Sequence, residues 1–153
     1  MKPLIVLLAA FCLALAATRL FAGQVDYLLA GNVAMAVMLI FTGIAHVPYV
    51  RGMAQMLPAW LPAKHAWIYG TGLLEVAGGV GLLLPAVRPL AATCLLVFFV
   101  LIFPGNVISA RKHLDYQRGT LTGPGLGYLW FRVPLQLLFL GWTWYFGLHL
   151  AGA

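Results

Sequence analysis

The chain has 153 residues, 63% of them hydrophobic and 8% charged, against about a quarter charged in a water-soluble domain. That balance excludes an ordinary soluble enzyme, and apolar spans of about 20 residues each leave no length for a large aqueous domain. The formal net charge of +6 does not indicate nucleic acid, because the nine Lys and Arg are scattered between apolar runs rather than gathered on one face.

Residues 3–22 form the first apolar run, behind Lys2 and with small residues at 14–17. A cleaved signal peptide and an uncleaved helix compete for it, and a run longer than the usual signal core favours the helix. Residues 23–30, with Gln24 and Asp26, make a short polar connection. The second run, 31–47, stops at Pro48 and sets His46 near one membrane face, with Thr42 and Gly43 one turn back on the same side. Residues 49–65 carry Met53, Met56 and Trp60 but are broken by Pro58 and Pro62. They are too short and interrupted to span, and read as an interfacial segment.

The third run, residues 66–84, reads AWIYGTGLLEVAGGVGLLL and holds a single acid, Glu75. A charge at the bilayer centre costs from roughly three to more than ten kcal/mol, so Glu75 must face protein or water. Thr71, Gly72, Gly78 and Gly79 lie three or four residues away and share its face, a stripe of small residues that lets another helix come close. Glu75 is then either a structural hydrogen-bonding group or a ligand, proton or ion site. The usual association of intramembrane carboxylates with pathways and sites favours the second.

After a turn through Arg88, the fourth run covers 90–109 and is apolar up to Pro104-Gly105-Asn106. Proline there frees carbonyls that need partners, and Asn106 is placed to supply one or to touch a ligand. Residues 110–127 form a polar loop with Arg111, Lys112, His113, Asp115 and Arg118, solvated or beside lipid phosphates. The fifth run, 128–149, opens with Trp130, Arg132, Pro134 and Gln136. Arg132 and Gln136, four apart, share a face. Trp142, Trp144, Tyr145 and Phe146 read as an interfacial aromatic belt. Cys12 and Cys94 lie in separate apolar runs without CxxC spacing, and read as small buried hydrophobes.

The expected architecture is an all-α, polytopic transmembrane bundle of five spans. Lys2, Arg51, Lys64, Arg111, Lys112, Arg118 and Arg132 fall on one side, Arg19 and Arg88 on the other, which makes the amino terminus cytoplasmic and the carboxyl terminus external. At 1.5 Å per residue, Glu75 comes near the midplane, at a depth the polar residues of the cytoplasmic half can reach. The expected site is one polar pocket of His46, Glu75, Asn106, Arg132 and Gln136, with Glu75 to Arg132 as its main electrostatic link. No nucleophile, metal-ligand spacing or cofactor motif accompanies these residues, so no catalytic or metal role is assigned.

The strings GIAH (43–46), MLPAWLP (56–62), YGTGLLEVAGGVGLLLP (69–85), FPGNV (103–107) and WFRVPLQ (130–136) resemble the DoxX-like family of small bacterial integral membrane proteins, over about residues 31–144. The resemblance implies a four-helix membrane domain at 24–153, with 1–23 an added helix or leader, in the bacterial cytoplasmic (inner) membrane. Through relatives linked to quinone chemistry it also implies a quinone-like ligand and a redox partner protein. The family usually carries alanine where Gly105 stands and has a shorter polar loop before the last span. No catalytic residue is carried over. The functional expectation is a binding or accessory membrane protein with a polar pocket for a small apolar or quinone-like ligand, among membrane lipids. A proton-coupled transporter using Glu75 is the alternative.

Overall fold

The structure, a computed structural model, describes residues 2–152. Long apolar runs have no water with which to satisfy their backbone groups, and an α-helix satisfies them internally. The described chain is helical, with no strand and only an isolated bridge between Asp115 and Thr120. Its helices are α1 (Lys2–Ala22), α2 (Tyr27–Ala45), α3 (Val50–Ala54), α4 (Lys64–Leu83), α5 (Arg88–Arg111) and α6 (Leu129–Trp144). A 3₁₀ turn, Gly125–Tyr128, precedes α6, and a π turn, Tyr145–His149, continues it. Among the described residues, α1, α2, α4 and α5 are each long and apolar enough to cross a membrane.

Local chemistry explains where the helices begin and end. α2 starts four residues before the apolar run does, because Asp26 caps it: its carboxylate accepts a hydrogen bond from the Leu29 amide at 2.8 Å. At the other end of α4, Arg88 Nε donates to the Leu82 carbonyl at 2.8 Å, satisfying one of the acceptors a helix leaves open at its carboxyl end. Pro89 fits the first turn of α5, where its missing N–H costs nothing. Tyr49 to His65, expected to be interfacial, forms the short α3, a turn region that leaves Trp60 79% exposed, and the first two residues of α4.

α2 and α4 make the most extensive pairing. α4 also packs on α5, α5 on α6 and its π turn, and these return to α2, while α1 lies against α2. The α2–α4 crossing depends on absent side chains: a β-carbon on Gly43 would sit 2.7 Å from the Gly72 carbonyl oxygen, and one on Gly79 would sit 3.1 Å from that of Ala36. Gly78, expected on the same stripe, faces Leu95 of α5 instead. Met35, Met38, Leu39, Leu95, Phe99 and Phe139 fill the centre. Leu73, Leu74, Val100, Leu101 and Leu137 point outward, as suits rods surrounded by hydrocarbon. Cys12 and Cys94 are exposed, contrary to the expected burial; a thiol that suits an apolar interior suits an apolar surrounding equally well.

Candidate functional site

Glu75 is enclosed at the α2–α4 crossing, with 7% of its surface exposed. The carboxyl end of α2 brings His46 to it, and Gly72 makes room, since a β-carbon there would come within 2.9 Å of His46 Cβ and Cγ. His46 Nδ1 lies 3.9 Å from Glu75 Oε2, beyond hydrogen-bond length. The same nitrogen is 2.9 Å from the Thr42 carbonyl oxygen. A carbonyl only accepts, so Nδ1 carries a hydrogen and donates it to Thr42. Glu75 Oε2 is thereby left enclosed and without a hydrogen-bond partner, a condition that costs about 1–3 kcal/mol and more for a charged group. The Thr42 hydroxyl also faces the carboxylate, but it lies 3.1 Å from the carbonyls of both Met38 and Leu39, which compete for its single hydrogen.

The other three expected residues meet between α5 and α6. Arg132 Nε donates to Asn106 Oδ1 at 3.1 Å. The expected link between Arg132 and Glu75, direct or through water, is not a direct ion pair: among the described residues the ion pairs are His46 with Glu75 and Arg118 with Asp115. Arg132 is near enough for its charge to act on Glu75, yet Asn106 holds its guanidinium. Gln136 Nε2 donates to the Phe99 carbonyl at 2.7 Å. Gln136, and not Asn106, thus serves the stretch of α5 ahead of Pro104. The reason is reach, since Asn106 lies seven residues past Phe99, about 10 Å along the helix, while Gln136 comes from the neighbouring helix at the right height.

The five residues therefore form two groups, His46 with Glu75 and Asn106 with Arg132, with Gln136 one turn beyond. Two surface hollows are lined by other residues. One of about 600 Å³ is lined by Ala54, Gln55, Lys64, Lys112 and Leu121, and an apolar one of about 330 Å³ by Leu96, Val97, Val100, Leu101 and Leu140; Glu75 lines neither. Among the described residues no three His, Cys, Asp or Glu side chains gather as a metal group.

A family model described as a domain of unknown function, DUF8561, matches residues 35–147, well over half of the 153. The chain belongs to the DUF8561 family. All five site residues and the crossing glycines Gly43, Gly72 and Gly79 fall inside the DUF8561 match, whereas α1 lies ahead of it. Comparison with curated proteins and with solved structures finds no match.

A third polar group in this DUF8561 chain escaped the sequence reading. Asn32, 1% exposed, donates to the Leu28 carbonyl at 2.8 Å and to that of Phe146 at 2.9 Å. Trp142 Nε1 donates to the Gly31 carbonyl at 2.9 Å. Trp142 is therefore turned inward and is no part of an interfacial belt, whereas Trp144 and Tyr145 do face outward. A lone amide in an apolar run is the same cue that singled out Glu75, and it was present at position 32. Thr143 stands nearby in sequence with its hydroxyl enclosed and unpartnered.

Proposed function

We propose that this DUF8561 protein is a five-span protein of the bacterial inner membrane that binds a small apolar or quinone-like molecule beside Glu75 and serves as a binding or accessory subunit to a redox partner. In this reading α6 and its π turn act as the fifth span, and the amino terminus is cytoplasmic. Seven of the nine Lys and Arg then belong to the cytoplasmic side. Likeness to the DoxX-like motifs supports the quinone-like ligand and the four-helix core.

One observation carries the proposal: Glu75 Oε2 is enclosed, unpartnered and 3.9 Å from a histidine ring. Such a carboxyl accepts from a ligand hydroxyl when ionised and donates to a ligand carbonyl when protonated. Apolar helix faces around a few polar groups are the usual make-up of a small-molecule site. Since neither hollow reaches Glu75, binding entails a local parting of the helices beside it. Thermal unfolding of the purified full chain in detergent, with a short-tailed benzoquinone added, tests the reading. The midpoint is expected to rise in the wild type and stay fixed in Glu75→Leu. A wild type that does not respond would reject the ligand class.

Proton-coupled transport is favoured by the same gap, which sets one free carboxylate oxygen opposite a titratable ring. Under that reading Glu75→Gln abolishes proton-linked flux in proteoliposomes, and undiminished flux would rule it out.

A further inference from the structure

The 600 Å³ hollow at the loop end of the molecule has a chemistry of its own. Two of its lining residues are cations from separate elements: Lys64 opens α4, and Lys112 follows the last turn of α5. Lys112 Nζ donates to the Gln55 carbonyl at 3.0 Å, which fixes one ammonium at the rim. No carboxylate lines the hollow. The one acid of the adjoining loop, Asp115, is engaged elsewhere: its Oδ1 accepts from the Gln117 and Arg118 amides at 3.0 and 3.3 Å, and its Oδ2 lies 3.9 Å from Arg118 Nε. The hollow thus concentrates positive charge that the protein itself leaves unbalanced. Both lysines stand at the ends of membrane-length apolar helices, the depth at which lipid phosphates lie, and basic pockets at such depths hold anionic head groups. Ala54 and Leu121 complete the lining with apolar surface.

We propose that this hollow, between Lys64 and Lys112, is a binding site for a phosphate group carried by an anionic phospholipid head group or by a soluble phosphate ester. The test uses the full chain in neutral detergent, with native mass spectrometry and thermal unfolding as readouts. The probes are phosphatidylglycerol, phosphatidylcholine and glycerol 3-phosphate. The wild type is expected to retain phosphatidylglycerol over phosphatidylcholine, and Lys64→Gln/Lys112→Gln to retain it roughly tenfold less. Lys2→Gln/Arg19→Gln, which removes the same charge from α1, is expected to behave as the wild type. Stabilisation by phosphatidylglycerol alone assigns the phosphate to a lipid, and stabilisation by glycerol 3-phosphate that the lysine variant loses assigns it to a soluble ester. Retention that is the same in both double variants, or no preference for either phosphate probe over phosphatidylcholine, overturns the site. Lys64 is half-buried and Lys112 exposed, and monodisperse elution with unchanged helix content would show that the variant is folded.

Discussion

Glu75 is held by a histidine, a threonine and two helix backbones that glycine allows to approach. Its Oε2 has no hydrogen-bond partner, because His46 spends its Nδ1 hydrogen on Thr42 and Arg132, turned to Asn106, makes no direct ion pair with it. An unsatisfied buried carboxylate is a cost that leucine would remove, so Glu75→Leu is expected to unfold at the same temperature as the wild type or higher. A lower midpoint would make Glu75 a structural group and count against a binding role. Gln136 is the opposite case. Gln136→Leu removes the side-chain bond that ties α6 to the Phe99 carbonyl, and a loss of about 1 kcal/mol is expected in reversible unfolding in detergent. Asn32→Leu removes two such bonds and is expected to cost more than Gln136→Leu; a smaller loss would mean that other groups relieve the Phe146 carbonyl.

At the scale of the helices, the α2–α4 crossing is the element on which the site depends. Gly72→Ala places a carbon against His46 and the Gly43 carbonyl oxygen, at 2.9 and 3.0 Å, and overpacking of this kind costs about 1–3 kcal/mol. Gly70→Ala meets nothing within 4 Å and is expected to leave the unfolding midpoint unchanged. Equal effects of the two would show that the crossing is looser than described. Much of this level was legible in the sequence, because apolar runs of spanning length and small residues around Glu75 follow directly from the lipid environment. The helix starts were less legible: α2 begins at its Asp26 cap, where polarity had suggested a connection. Partnership was the hardest part to read. Spacing along one helix places Arg132 and Gln136 on a face, but which of Glu75, Asn106 or Phe99 each one reaches depends on the relative heights of different helices. A one-dimensional pattern does not contain those heights. Trp142 shows the same limit, since its indole looks like an interfacial anchor until Gly31 is seen to accept its hydrogen.

At the scale of the whole molecule, the ends differ in charge. The loop end carries Lys64, Arg111, Lys112 and Arg118, while Arg19 and Arg88 belong to the other, and both of those bind main-chain carbonyls of their own turns. The proposed cytoplasmic placement of the loop end rests on that asymmetry. A cysteine introduced at Arg118, in a chain lacking Cys12 and Cys94, is expected to react with an impermeant thiol reagent only in inside-out vesicles. Reaction in right-side-out vesicles would reverse the orientation. The central claim, that Glu75 serves a bound small molecule, is tested most directly by native mass spectrometry of wild-type and Glu75→Leu chains purified from the same membranes. A small apolar molecule released from the wild type and missing from Glu75→Leu is the expected result. Wild-type protein that is empty, or equal occupancy in both, would contradict it.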